Sequence, residues 1–293
     1  MAFNREWGNH IPNGVINEVI KDWQAKQPER VQTTASPSSL MDCPRVVWLR
    51  KQGVEPTNVI GWGKKQRFML GRITENLIAS QLRDEGKLLH HWKDDVEGES
   101  KKMAMGEGLD KLAGTPDMLL DLGKDVVISD SKTSRSDSFN YVPIEPNEIW
   151  ADPYWFRHKL QLTAYFMLCH ANKDWFQPKD DDLNLLKNPK PGQVVEIGKR
   201  QLPLPRACHL FSYALDDGIV RREIVWEPTE VDKESVIRLT RRWNQAYASK
   251  EAPACTCVAE GTVKFCPYSI MKEGERVGSS CCDDKLIKLT ERN

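Results

Sequence analysis

Residues 112–132 read LAGTPDMLLDLGKDVVISDSK, and they predict the hairpin around which the fold is built. It has the pattern of two strands joined by the dipeptide Gly123-Lys124, which suits a two-residue turn with glycine first. In such a hairpin, residues whose numbers sum to 247 face each other across the strands. The sequence therefore predicts that Asp117 lies directly opposite Asp130.

Two opposed carboxylates are unfavourable in an apolar hairpin, because like charges directly across a sheet repel each other. Facing Cβ atoms lie about 4.5–5.5 Å apart, a separation that one hard cation can bridge with both carboxylates. Lys132 projects from the same face as Asp130 and could orient a water molecule or neutralise phosphate charge. The pattern predicts a Mg²⁺ or Mn²⁺ site. A structural alternative stays open, in which Asp117 ends a turn and Asp130 and Lys132 form an ion pair.

The rest of the chain alternates helical and extended patterns. This order predicts an α/β fold with a mixed central sheet flanked by helices. We expect an N-terminal helical segment at 1–35, a core at 36–250 with a surface insertion at 173–200, and a Cys-rich tail at 251–293. The apolar spacing predicts helices over 13–26, 37–51, 64–84, 152–171 and 231–248, strands over 112–121 and 125–132, and a second hairpin of 208–215 with 220–226.

Composition places the chain among globular proteins. Its 293 residues carry 42 Lys and Arg against 42 Asp and Glu, and 40% are hydrophobic, which excludes disordered, collagen-like and coiled-coil classes. Because no run of about eighteen apolar residues and no apolar signal core occurs, we expect no membrane partner and a cytoplasmic location. The zero net charge argues against a wholly basic nucleic-acid binder but allows a local basic surface.

The eight cysteines are unevenly distributed. In a reducing compartment they are not expected to form disulfides, and the crowding of five of them near the C-terminus is typical of metal-ligating thiolates. Cys169 and Cys208 lie within a predicted helix and a predicted strand, where we expect small buried side chains. The five C-terminal cysteines are Cys255, Cys257, Cys266, Cys281 and Cys282.

Three polar motifs follow one another along the chain. They are GTPD at 114–117, DSK at 130–132 and QLTAY at 161–165. In this order they resemble the successive motifs of the PD-(D/E)XK nuclease superfamily, specifically its RecB-like branch. The resemblance implies a restriction-endonuclease-like core and the hydrolysis of DNA phosphodiester bonds with Mg²⁺ or Mn²⁺.

The resemblance also implies catalytic roles for individual residues. Glu75 occupies the place in the first core helix where many RecB-like members carry histidine, and it still supplies an oxygen ligand. Lys132 is expected to position the attacking water, and Gln161 and Tyr165, four residues apart on one helical face, are expected to reach the DNA. The implied metal ligands are Glu75, Asp117, Asp130 and the backbone carbonyl of Ser131.

A second resemblance concerns the cysteines. Residues 36–45, SPSSLMDCPR, and residues 265–268, FCPY, are similar to the segments that hold an iron-sulphur cluster in CRISPR-associated exonucleases and helicase-linked nucleases. The resemblance implies a [4Fe-4S] cluster that fastens the tail to the Cys43 helix. A zinc ion on four thiolates is the rival, and free thiols are the third reading. The implied cluster ligands are Cys43, Cys257, Cys266 and Cys282, with Cys255 and Cys281 as alternates.

Basic residues precede Glu75 without an intervening acid, and such a run attracts phosphates. Arg157 shares a predicted helical face with Gln161 and joins this expected DNA-binding set. The other expected DNA-binding residues are Lys64, Lys65, Arg67 and Arg72.

Together these features predict a metal-dependent DNA exonuclease that acts on single-stranded or end-processed DNA. A structure-specific endonuclease on the same core and a non-catalytic DNA-binding scaffold with a vestigial site are the alternatives. The chain has no Walker-type phosphate-binding loop, so a helicase, recombination or CRISPR-adaptation partner would have to supply any unwinding. Repair and phage roles fit the same residues, which leaves open a phage-encoded protein acting in the host cytoplasm.

Overall fold

The computed structural model describes residues 32–56, 62–92, 102–134, 149–176, 202–215, 218, 220–256, 268–272 and 275–279. The helices are α1 (Pro44–Lys51), α2 (Trp62–Asp84), α3 (Pro153–Ala171) and α4 (Glu230–Ala248). Short 3-10 turns cover Pro37–Ser39, Gly108–Asp110 and Lys173–Trp175. The strands are β1 (Leu88–His91), β2 (Met103–Met105), β3 (Leu112–Gly114), β4 (Met118–Asp121), β5 (Val126–Ser134), β6 (Ala207–Ala214), β7 (Val220–Trp226), β8 (Ser269–Lys272) and β9 (Glu275–Ser279).

Five strands form one mixed sheet in the order β1-β4-β5-β6-β7. Its neighbours pair antiparallel except β5 and β6, which are parallel. Parallel strands need a long crossover, and α3 lies in the segment that connects them. Strands β2 with β3 and β8 with β9 form two separate ribbons. The predicted α/β class with a mixed sheet flanked by helices is therefore confirmed.

The β4–β5 hairpin has the predicted register. Met118 pairs with Ser129 and Asp121 with Val126, so the numbers of each pair sum to 247. Gly123 adopts a φ of 87°, a left-handed conformation that favours glycine at this turn.

Two predicted elements are interrupted. The predicted strand 112–121 divides into β3 and β4, because Pro116 lacks a donor N–H and β3 pairs with β2 instead. The predicted helix 37–51 breaks before Pro44, since the residue preceding a proline disfavours helical backbone. The other predicted core elements lie within one or two residues of their expected limits. Residues 13–26 and 177–201 lie outside the described residues.

The two faces of the sheet carry different helices. On one face, Ile78 of α2 packs with alternate strand residues such as Met118 and Val127. On the other face, helices α3 and α4 cover Leu119 and Ile128, together with the fully buried Cys208. Because strand side chains alternate, Asp130 and Lys132 share the α3 face with Ile128.

The described part of the tail packs on α1. Tyr268 is completely buried in a small second core with Val46, Trp48 and Leu49. Its hydroxyl donates a hydrogen bond to the carbonyl of Val54 at 2.8 Å. This cluster joins the N-terminal and C-terminal parts of the described chain. Among the described residues, none of the helices has the length and hydropathy that a bilayer crossing requires.

The start of α4 is fixed by a reciprocal cap. The Thr229 hydroxyl oxygen accepts from the Asp232 backbone N–H at 3.2 Å, and the Asp232 carboxylate accepts from the Thr229 N–H at 3.1 Å. Lys159 of α3 reaches the same carboxylate at 2.7 Å. Burial alone would raise the pKa of Asp232, but the hydrogen bonds from Lys159 and Thr229 hold it below its usual value. One carboxylate thus joins two helices.

We expect Asp232→Asn to lower the free energy of unfolding by about 1 kcal/mol at neutral pH, because it weakens the cap and the ion pair. Because the pKa of Asp232 is lower in the folded protein, its ionised carboxylate stabilises the fold fully at pH values above the unfolded-state pKa of about 3.9. This stabilisation is lost as the pH falls through the folded-state pKa. The gap between wild type and variant should therefore close below about pH 4. Urea titrations across pH measure this gap. The exposed Glu230→Gln should differ from wild type by less than about 0.5 kcal/mol throughout, and a constant Asp232→Asn gap would contradict the account.

Candidate active site

The β4–β5 hairpin carries the first group of predicted residues. Asp130 is 2% exposed, and its carboxylate lies 2.5 Å from the Lys132 Nζ. Asp117 precedes β4 by one residue and continues the pairing register toward Asp130. The backbone N–H of Trp92 fixes the Asp117 carbonyl with a hydrogen bond of 3.1 Å. The hairpin thus brings two carboxylates and one ammonium group together where β4 begins.

Tyr165 of α3 lies among three carboxylates. Burial, together with the negative charges of Asp117 and Asp130 and more weakly of Glu75, raises the pKa of this phenol far above its usual value. A hydrogen bond with Gln161 opposes the shift in part. Tyr165 is 7% exposed, so its environment is protein rather than bulk water. The charges of the three predicted acidic residues, which come from three different parts of the fold, therefore all raise the pKa of this one side chain.

Gly114 allows Pro37 and Tyr165 to pack closely against the backbone of β3. A Cβ atom at Gly114 would lie 2.6 Å from Pro37 Cδ and 3.2 Å from Tyr165 Cε1. Only glycine permits that approach without a shift of the neighbours. The first residue of the GTPD motif therefore serves packing, whereas its last residue faces the carboxylate site.

The sequence patterns did not identify His91. Its Nε2 lies 3.5 Å from Glu75 Oε1, and the side chains of His91 and Glu75 are 1% and 10% exposed. The histidine ends β1, whereas Glu75 lies in α2. A short strand with two adjacent histidines was the available signal, but only the tertiary fold reveals which acid one of them meets.

His158 is a second residue that the motifs missed. Its Nδ1 lies 3.5 Å from Gln161 Oε1, and the spacing of 158, 161 and 165 follows one helical face. Burial, and then the positive charge of Lys132, lowers the pKa of His158 well below its usual value. His158 is therefore neutral at physiological pH. The i, i+3, i+7 spacing with Gln161 and Tyr165 was the signal in the sequence.

The expected DNA-binding residues are only partly described. Arg72 is exposed on α2, whereas the side chains of Lys64, Lys65 and Arg67 lie outside the described part of the structure. Arg157 donates to the Ser38 carbonyl at 2.9 Å and lies 3.4 Å from an Asp42 carboxylate oxygen. It thus connects α3 to the turn before α1.

The acidic side chains suit a hard cation in chemistry. Carboxylate oxygens are the ligands that Mg²⁺ and Mn²⁺ prefer, and Asp130 already faces a cationic ammonium group. Within the described residues, no three His, Cys, Asp or Glu side chains stand close enough together to hold an ion. The donor types fit such an ion, while the described side chains are spread more widely than in a closed coordination shell.

Two cysteines that are 212 residues apart in sequence meet beside α1. Cys43 Sγ lies 3.9 Å from Cys255 Sγ, and the Thr256 N–H donates to Cys43 Sγ at 3.4 Å. Neighbouring thiolates on one tetrahedral zinc ion stand about 3.8 Å apart, as Zn–S bonds of about 2.3 Å require. In a [4Fe-4S] cluster each thiolate binds a different iron, which places the sulphurs farther apart. The separation is shorter than a [4Fe-4S] cluster requires and matches both one tetrahedral ion and two reduced thiols in contact.

The other expected thiolate ligands cannot be located in the same way. Cys257, Cys266, Cys281 and Cys282 lie outside the described residues. Cys255, an alternate in the expected ligand set, is the C-terminal cysteine that the structure brings to Cys43.

No protein-family model matches the chain, and a comparison with curated proteins gives no match. Comparison with solved structures gives several matches, among them the crystal structure of SSO0001, with 17% identity and a TM-score of 0.46. That match covers 89% of this chain and 98% of the other. A TM-score this low, at this identity, does not establish a shared function.

Proposed function

We propose that the chain is a metal-dependent deoxyribonuclease of the PD-(D/E)XK type, with a restriction-endonuclease-like core. The observation that carries the proposal is the β4–β5 register, which continues to Asp117 opposite Asp130 beside the buried Tyr165. Lys132 on Asp130 adds the cationic group that the same chemistry requires. Asp130 and Glu75 are buried and Asp117 is half-buried, and buried carboxylates are costly to a fold, which supports a functional reason for their presence.

The metal ligands in this proposal are Glu75, Asp117, Asp130 and the carbonyl of Ser131. When bound there, Mg²⁺ or Mn²⁺ would act as a Lewis acid on the scissile phosphate and lower the pKa of a water molecule. Lys132 would orient that water and balance the negative charge that develops on the phosphate. Its side chain is 21% exposed, so it can contact both the carboxylate and a substrate.

Tyr165 and Gln161 would hold the DNA strand. Because its pKa is raised, the Tyr165 hydroxyl keeps its proton at neutral pH and can donate a hydrogen bond to a phosphate oxygen. A neutral His158 beside Gln161 would fix the amide without adding charge to the site. These residues therefore bind and orient, and they do not act as bases.

We infer an exonuclease acting on single-stranded or end-processed DNA as the specific activity. The exposed Arg72 lies one turn before Glu75 on α2, and the basic run at 64–67 precedes it in the same helix. Phosphates attracted there would be guided toward the carboxylates. A helicase, recombination or CRISPR-adaptation protein would be the fitting partner, since such partners supply free DNA ends.

The activity is tested on end-labelled linear and closed-circular single-stranded DNA with Mg²⁺ or Mn²⁺. Wild type should degrade linear DNA and spare circles, and Asp130→Asn and Lys132→Met should each lower the rate at least about 10²-fold. Lys124→Met, which changes an exposed lysine in the turn of the same hairpin, should retain the wild-type rate.

Other outcomes of this experiment would change the proposal. Cleavage of circles would identify a structure-specific endonuclease on the same site. Metal-loaded protein that binds DNA but cuts neither substrate would support the non-catalytic scaffold instead.

We also propose that Cys43 and Cys255 ligate a metal that fastens the tail to α1. The sulphur separation of 3.9 Å favours one zinc ion, with further thiolates from the tail, over the [4Fe-4S] cluster that the family resemblance implies. Burial of Cys43 at 4% exposure would protect such a site from solvent. The metal would be structural and would take no part in hydrolysis.

Elemental analysis of anaerobically purified protein tests this site. We expect about one zinc per chain, its loss in Cys43→Ser together with a lower melting temperature, and its retention in Cys208→Ala, whose thiol is buried in β6. Iron with acid-labile sulphide would instead establish the cluster. Wild-type protein without zinc or iron would contradict a thiolate metal site.

A further inference from the structure

The end of β1 contacts two of the proposed metal ligands. The side chain of His91 faces Glu75, with 3.5 Å between Nε2 and Oε1. The next residue, Trp92, donates its backbone N–H to the carbonyl of Asp117 at 3.1 Å. Two consecutive residues thus connect the α2 ligand and the hairpin ligand through one short strand.

The position of His91 follows from the sheet register. His91 pairs with Met118, whose side chain lies on the α2 face of the sheet. Asp130 lies on the opposite face, with α3. Glu75 approaches from the α2 face, so its carboxylate has to be directed past the start of β4, where the β4–β5 pairing ends, to join the other acids. His91 is on the right face to direct it.

The contact between His91 and Glu75 is buried, so it contributes to the solvation of the carboxylate. The side chain of His91 is 1% exposed and that of Glu75 is 10% exposed. A buried carboxylate needs a donor or a positive charge nearby, because it has lost most of its water. Imidazole fixed beside a metal-binding carboxylate is a frequent arrangement around metal sites, where such outer partners orient the ligand.

We propose that His91 is a positioning residue for the Glu75 carboxylate. The 3.5 Å between Nε2 and Oε1 is a charge contact rather than a hydrogen bond. With the proton on Nε2, the ring would orient its N–H toward Oε1 and leave Oε2 for the divalent cation. The inference rests on the proposed function and adds a residue that none of the sequence motifs contains. In this role His91 affects the affinity for the metal only through Glu75.

A double-mutant cycle on the full-length protein tests this statement. Binding of Mn²⁺ is measured by calorimetry for wild type, His91→Leu, Glu75→Gln and the double variant, without DNA. Leucine fills the buried volume but removes the ring N–H. We expect His91→Leu to weaken Mn²⁺ binding about tenfold in the wild-type background and less than about twofold in the Glu75→Gln background.

His91→Gln is the conservative variant, because its side-chain amide retains an N–H donor. We expect its Mn²⁺ affinity to stay within about threefold of wild type. If His91→Leu fails to fold, this variant decides alone: a loss of about tenfold in His91→Gln would overturn the proposal.

The remaining outcomes separate the inference from the proposed function. Equal losses in both backgrounds would mean that His91 acts independently of Glu75, as a ligand or as a packing residue, and would overturn the positioning role. Unchanged affinity in His91→Leu would do the same while leaving the nuclease proposal intact. Wild-type protein that binds no Mn²⁺ would overturn the metal site itself, and the inference with it.

Discussion

The β4–β5 register continues to Asp117 opposite Asp130 where β4 begins, and the rest of the site is arranged around that pairing. Opposed carboxylates repel each other, so each neighbouring group has to compensate for their charge. Lys132 does so through an ion pair of 2.5 Å with Asp130. Tyr165 remains a neutral phenol beside the two carboxylates and adds no further negative charge. A divalent cation would neutralise the same charge more completely, and this is the physical basis of the proposed activity.

The sheet also explains why the site needs residues from both of its faces. Helix α3 contributes Gln161 and Tyr165 on the face that Asp130 occupies, whereas α2 contributes Glu75 from the other face. A site with ligands from both faces depends on side chains that orient each ligand. We propose this role for the buried contact between His91 and Glu75.

Local patterns in the sequence predict the hairpin accurately, because strand register has a period of two residues and the glycine turn fixes it. Apolar spacing also predicts the buried face of α4, with Val236, Leu239 and Trp243. It does not predict the buried face of α2, where the apolar Phe68, Ile73 and Leu77 are more than half exposed. Local patterns also do not predict the contacts of His91 with Glu75 or of Cys43 with Cys255, since both depend on the packing of segments distant in sequence. The apolar pattern of 112–121 does not predict the break between β3 and β4. The break follows from Pro116, which has no N–H to donate to the sheet.

The account depends most on whether the converging carboxylates hold a divalent cation. Crystals of the full-length protein soaked in Mn²⁺ and measured by anomalous diffraction would locate such an ion directly. We predict an anomalous peak for one Mn²⁺ ion within bonding distance of carboxylate oxygens of Asp117, Asp130 and Glu75. An empty carboxylate site in crystals that hold Mn²⁺ elsewhere on the protein would contradict it.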